Sequence, residues 1–141
     1  MRRLQSALNA AAWLMFHLRR SDHVTDALVS LHWLRVPERI QFKTAVLPYR
    51  VLHHSDAPRY LGPFISTADV PGRRALRSAG TNRLVVPPVR LTTVGSRAFP
   101  VAATQIWNSL PEHIVSAPTL QSFRRHLKTF LLQQSLCLWT L

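Results

Sequence analysis

Acid–base or metal chemistry in this chain would have to come from six carboxylates: Asp22, Asp26, Glu38, Asp56, Asp69 and Glu112. A general acid–base pair needs two titratable groups held close together, and a metal-dependent polymerase or nuclease needs clustered carboxylates to hold its divalent ions. These six are scattered through separate segments. Asp22 and Asp26 stand where a carboxylate would cap a helix or complement its dipole. Of the seven histidines, His53 and His54 are adjacent, so on a helix they point about 100° apart, and neither they nor His126 have a carboxylate or cysteine at a ligating interval. The one cysteine, Cys137, rules out an internal disulfide and offers no zinc or redox spacing. No phosphate-cradling glycine loop, nucleophile elbow or pair of aspartates on a hairpin is present. The expectation is a noncatalytic chain with no cofactor and no metal site.

The remaining chemistry is positive charge. Eighteen basic residues against six acidic ones give a formal net charge of +12, and only Lys43 and Lys128 are lysines. Arginine's planar fork matches phosphate oxygens and stacks on bases, so this surplus points first to nucleic acid and second to anionic membrane. Translation from GC-rich DNA also enriches arginine. Between Asp69 and Glu112 there is no acid, while Arg73, Arg74, Arg77, Arg83, Arg90 and Arg97 spread along the chain. Such a stretch either tracks a phosphate backbone with salt-sensitive affinity or is a solvated loop. The residues expected to meet nucleic acid are Arg39, Lys43, Arg90, Arg97, Arg124, Arg125 and Lys128.

The elements that must position these residues are mainly helical. Leu4, Leu8, Ala11, Met15 and Leu18, widened by Ala7 and Leu14, form the spacing of an amphipathic helix ending near Arg20. "DHVTDALVSLHWL" predicts a second, shorter helix, with Asp22 or Thr25 accepting hydrogen bonds from its first N–H groups. Pro37 suits the first turn of a third, "PERIQFKTAVLPYRVLHH", which Pro48 should kink or stop. Residues 55 to 83 carry several prolines and glycines without periodicity and read as loop, with one helical turn at "PRYL". "RLVV" and "VRLTTV", separated by Pro87 and Pro88, predict a short irregular hairpin. "VAATQIWNSL" returns to helix and is stopped by Pro111, with Asn108 and Ser109 free to satisfy the turn. The last helix follows Ser116 and Pro118, a cap and first-turn pair. Its apolar stripe is Leu120, Phe123, Leu127, Phe130 and Leu131, with Arg124, Arg125 and Lys128 toward the other side. Trp33 and Trp107 sit among leucines at helical spacing and read as core. The predicted fold is thus a small, mainly α domain with a short hairpin between its N-terminal and C-terminal helices. Its parts are a helical stretch over 1–54, a basic loop over 55–83, and hairpin plus helices over 84–141.

A chain of 141 residues with 47% hydrophobic residues and four tryptophans can bury a real core. No apolar run reaches the roughly 18 residues that span a bilayer. The expected location is intracellular, nuclear or cytoplasmic. Residues 1 to 20, basic and acid-free, also resemble a mitochondrial presequence, the lesser alternative.

The order of motifs is more specific than any one of them. "LNAAAWLMFHLRRSDHVTDALVSLHWL", "RIQFK", "LH", "APRYL", "RALRS", "RLVVPPVRLTTVGSRAFPVAATQIWNSLP" and "SFRRHLKTFL" follow one another. That succession, over about residues 3 to 132, resembles the region after the polymerase domain in non-LTR (LINE-type) retrotransposon reverse transcriptases, especially the jockey and chicken-repeat-like clades. The resemblance implies a thumb and C-terminal tail that helps hold RNA or primer-template, with the remainder of the reverse transcriptase as partner in the intact element. It also implies no polymerase activity, since palm, fingers, metal-binding aspartates and endonuclease are absent from the chain. Two residues depart from the family pattern: Arg35 stands where "LHWLPV" has proline, and Pro48 interrupts a helix that is normally unbroken. Met1 just before the matching region suggests a truncated element copy. The alternatives are a loosely folded relic without function, or a small mitochondrial or membrane-surface protein led by its N-terminal helix.

Overall fold

The computed structural model describes residues 2–19, 21–53, 58–71 and 82–137. Seven α-helices are described: α1 (Arg2–Phe16), α2 (Val24–Ser30), α3 (Val36–His53), α4 (Thr92–Gly95), α5 (Phe99–Ser109), α6 (Glu112–Val115) and α7 (Leu120–Cys137). Two 3-10 turns, Arg59–Leu61 and Thr67–Asp69, lie between α3 and α4. The first is the turn expected at "PRYL". The chain gathers into two compact units, Met1–Phe42 with Leu127–Leu141, and Lys43–His126.

In the first unit, α1 and α2 end by the same device. Leu18 N–H donates to the Trp13 carbonyl at 3.1 Å with His17 at φ 49°, and Trp33 N–H donates to the Leu28 carbonyl at 2.8 Å with His32 at φ 52°. Each is the closing bond of a left-handed C-terminal stop, a position usually given to glycine. Two of the seven histidines are thereby explained as chain reversals. The stop at His32 shortens the second helix against the expected 22–34. Its expected caps are also used elsewhere. Asp22 accepts from the Arg19 N–H at 2.7 Å, and the Thr25 hydroxyl accepts from the Arg35 guanidinium at 3.2 Å. Ala12, Ala27 and Leu28 form a small core, with Leu18, Val24, Leu31 and Trp33 packed against it.

The orientation of α1 runs against its pattern. Ala12 is fully buried, Gln5 Oε1 accepts from the Val36 N–H at 2.9 Å, and Gln5 Nε2 donates to Asn9 at 2.8 Å. The small and polar side of the helix therefore faces the protein. The apolar stripe is largely outside, with Leu4 65%, Leu14 76% and Met15 57% exposed.

Of the two outcomes expected at Pro48, two shorter pieces or one bent rod, the first does not occur: α3 runs unbroken through Pro48. Interior proline removes one hydrogen bond and crowds the preceding turn. Here Ala45, Val46, Pro48 and Tyr49 are all buried, and tertiary burial of a helix face commonly outweighs intrinsic propensity.

The second unit centres on an aromatic cluster. Tyr49 stacks on Phe123 with ring centroids 4.4 Å apart, and Phe123 stacks on Trp107 at 5.8 Å. The Tyr49 hydroxyl donates to the Ala117 carbonyl at 2.7 Å. Thr104, the buried hydroxyl of α5, donates to the Pro100 carbonyl at 2.7 Å, so its burial leaves no donor unpaired.

The hairpin predicted from "RLVV" and "VRLTTV" does not form. Leu84 instead makes a single antiparallel bridge with Ser66, flanked by Thr67 N–H to Arg83 and Val85 N–H to Ile65, both at 2.9 Å. Pro87 and Pro88 lack the donors that would extend pairing, and Thr92–Gly95 coils into α4. A side chain at Gly95 would place its Cβ 2.7 Å from Val89 Cβ, so only glycine permits this close turn. The start of α7 also differs from expectation, since Ser122 N–H donates to the Thr119 hydroxyl at 3.2 Å, making Thr119 the cap. Ser116 closes α6 instead, donating to the Glu112 carbonyl at 2.8 Å.

Candidate nucleic-acid interface

The stretch "IWNSLP" at the end of α5 organises the second unit. Trp107 is buried and its indole N–H donates to the Asn82 carbonyl at 2.8 Å. It is a core residue with its polar tip satisfied, and it presents no face on which a base could stack. Asn108 does more than the expected local turn. Its Oδ1 accepts from the Leu84 N–H at 2.9 Å and its Nδ2 donates to the Leu84 carbonyl at 2.8 Å. The amide thus substitutes for a neighbouring strand and holds Leu84 in the core. Ser109 behaves as expected, donating locally to the Ile106 carbonyl. The Leu84 anchor fixes the start of the segment that carries Arg90 and Arg97.

Helix α7 separates its two sides cleanly. Phe123, Leu127 and Leu131 are buried, and Arg124, Arg125 and Lys128 are exposed. Phe123 and Leu127 are four apart, as are Leu127 and Leu131, so one ridge of the helix is buried. Arg124 and Lys128 repeat the same four-residue interval on the solvent side.

The other sequence-predicted residues fall on separate elements. Arg39 and Lys43, one turn apart on α3, are both exposed, and Arg90 and Arg97 are exposed on either side of α4. By unit, Lys43, Arg90, Arg97, Arg124 and Arg125 belong to the second, and Arg39 and Lys128 to the first. Arg83 is exposed beside the Leu84 bridge, while Arg73, Arg74 and Arg77 lie outside the described residues.

The described carboxylates do not converge. Asp22 holds the Arg19 N–H, and Glu112 accepts from the Asn82 amide at 2.9 Å. Asp26 and Glu38 sit in the first turns of α2 and α3, where a negative charge meets the positive end of the helix dipole. One Glu38 oxygen, Oε2, is buried with no hydrogen-bond partner. Asp56 and His54 lie outside the described residues. Among the described residues no three His, Cys, Asp or Glu side chains cluster as a metal site would require.

A groove of about 530 Å³ in the first unit is lined by Gln5, Asn9, Trp13, Thr25, Arg35 and Pro37, among others. No sequence signal marked it, because its walls come from three helices. Its polar atoms are largely engaged with one another, through the Gln5–Val36 and Arg35–Thr25 bonds. Burial pushes the Tyr49 hydroxyl above its ordinary value, but its proton is donated to a backbone carbonyl inside the core. Nothing in that arrangement positions it for proton transfer to a substrate.

No helix among the described residues is long and apolar enough to cross a membrane. Comparison with models of known families, with curated proteins and with solved structures finds no match for this chain.

Proposed function

We propose that this chain is a noncatalytic thumb and post-polymerase piece of a non-LTR retrotransposon reverse transcriptase that retains binding to RNA or primer-template duplex. The ordered motifs from "LNAAAWLMFHLRR" to "SFRRHLKTFL" support the origin. The observation that carries the binding is the geometry of α7, where a buried Phe123–Leu127–Leu131 ridge holds Arg124 and Arg125 toward solvent. A rigid helix presenting guanidinium groups at fixed spacing can meet successive phosphates without ordering a loop first. Lys43, Arg90 and Arg97 in the second unit, and Arg39 and Lys128 in the first, add sequence-independent charge. No cofactor or metal enters this reading. In an intact element the partner would be the remainder of the reverse transcriptase.

The test is fluorescence anisotropy of the full chain with a labelled single-stranded RNA and a labelled RNA–DNA primer-template, titrated over salt. Counterion release makes the logarithm of affinity fall linearly with the logarithm of salt concentration. The paired change Arg124→Glu and Arg125→Glu should weaken binding by at least about tenfold and flatten that slope. Affinity that ignores salt, or a double variant that binds as well as the original while keeping its helical circular dichroism, would sink the proposal.

A further inference from the structure

The outer side of α1 is an apolar feature that the nucleic-acid reading does not use. Leu4, Ala7, Leu14 and Met15 lie on one side of the helix, all exposed, with Trp13 and Phe16 also exposed near its end. Leu8 and Ala11, on the same stripe, are only half-buried. The helix cannot simply roll to bury this stripe, because Gln5 is bonded to the Val36 backbone and Ala12, at the edge of the stripe, is already sealed in the core. Exposed leucine and methionine side chains grouped this way mark an interaction surface.

Charge narrows the occupant. Arg2 and Arg3 open the helix, Arg19 follows its end, all three exposed, and no acidic residue occurs before Asp22. A second copy laid on this face would bring like charges together on a chain of net charge +12. Nucleic-acid phosphates would meet the arginines but offer no apolar surface for Leu4, Leu14 and Met15. An anionic bilayer supplies both: acyl chains for the stripe and headgroup charge for the flanking arginines. No described helix is long and apolar enough to cross a membrane, so the α1 face would meet the bilayer in the interface plane.

We propose that the Leu4–Leu14–Met15 face of α1 is a docking surface for anionic lipid, gripped at its ends by Arg2, Arg3 and Arg19. The inference stands apart from nucleic-acid binding, which uses other residues.

Vesicle co-sedimentation of the full chain tests it, with phosphatidylcholine vesicles alone and with about one-third phosphatidylserine. Binding to the anionic vesicles is expected, with a drop of at least about tenfold on the neutral ones. The paired change Leu14→Glu and Met15→Glu should abolish it while leaving RNA affinity and helical circular dichroism as they were. Arg2→Glu with Arg3→Glu should weaken it by about thirtyfold or more, and Arg124→Glu with Arg125→Glu should leave the dependence on Leu14 and Met15 in place. Three results would overturn the inference. One is no binding to anionic vesicles; another is equal binding to both vesicle types. The third is a dimer in sedimentation velocity that Leu14→Glu and Met15→Glu dissolve, without any vesicle binding, which assigns the face to a second copy.

Discussion

Helices α1 and α7 both carry an apolar stripe at helical spacing and arginines close by, yet α7 buries its stripe and α1 exposes much of its own. In α7, Phe123 completes a three-ring cluster with Tyr49 and Trp107, and the charged residues Arg124, Arg125 and Lys128 lie outside it, exposed. In α1 the inward side is chosen by a backbone donor that needs an acceptor. Val36 N–H, at the open first turn of α3, takes Gln5 Oε1, and Ala12 allows close approach on the same side. A stripe of leucines gains from burial in proportion to area, but an orphaned N–H costs about 1–3 kcal/mol, so a polar anchor can decide which way a helix turns.

The sharpest way to break the comparison is to cut one large side chain from α7. Phe123→Ala should destabilise the protein by about 3–5 kcal/mol, read as a lowered denaturation midpoint, because Phe123 is fully buried against two other rings. A small loss there would mean that α7 is not held by its stripe. The α1 counterpart is Gln5→Ala, which leaves the Val36 N–H without its acceptor and should cost about 1–2 kcal/mol. If Gln5→Ala is neutral, the polar anchor does not orient α1.

Tyr49→Phe should cost about 1 kcal/mol near neutral pH, for the lost bond to the Ala117 carbonyl. It also alters pH dependence. Desolvation raises the Tyr49 hydroxyl above the ordinary phenol value of 10.0 in the folded chain. Above that value the unfolded chain releases the proton while the folded chain keeps it. The stabilisation is therefore present below pH 10 and lost as pH rises through the raised value. Denaturation midpoints followed into the alkaline range should fall for the original chain and fall less for the phenylalanine variant. The smallest expected effect is Leu14→Ala, within about 0.5 kcal/mol of the original, since Leu14 is 76% exposed. A loss comparable to that of Phe123→Ala would show that the α1 stripe is buried in solution.

Much of the helical layout was legible from spacing, because a 3.6-residue pattern needs only local side chains. The ends were less so. His17 and His32 stop their helices in a conformation that glycine usually supplies, and neither is marked as a stop by its type. The hairpin failed for a related reason: "RLVV" has β character, but its partner is Ser66 with the Asn108 amide, and neither lies near it in sequence. Pro48 predicts a kink or a stop from the backbone alone, and the helix does not stop there because that stretch is buried. The basic residues of the candidate interface were visible by type, and the exposure of Arg124, Arg125 and Lys128 followed from the stripe beside them. By its type Asn108 suggests a local turn residue, because a side-chain amide gives no hint of which distant backbone it will meet.

By itself, then, the sequence determined that the chain is mainly helical, that α7 pairs an apolar ridge with a basic side, and that positive charge dominates. These depend on residue type and short-range periodicity alone. Only the tertiary structure decided which side of α1 faces inward, that α3 continues through Pro48, and that Leu84 is held by Asn108. Each of those turns on a hydrogen bond or a buried contact between distant segments, and such a partner exists only once the chain has folded.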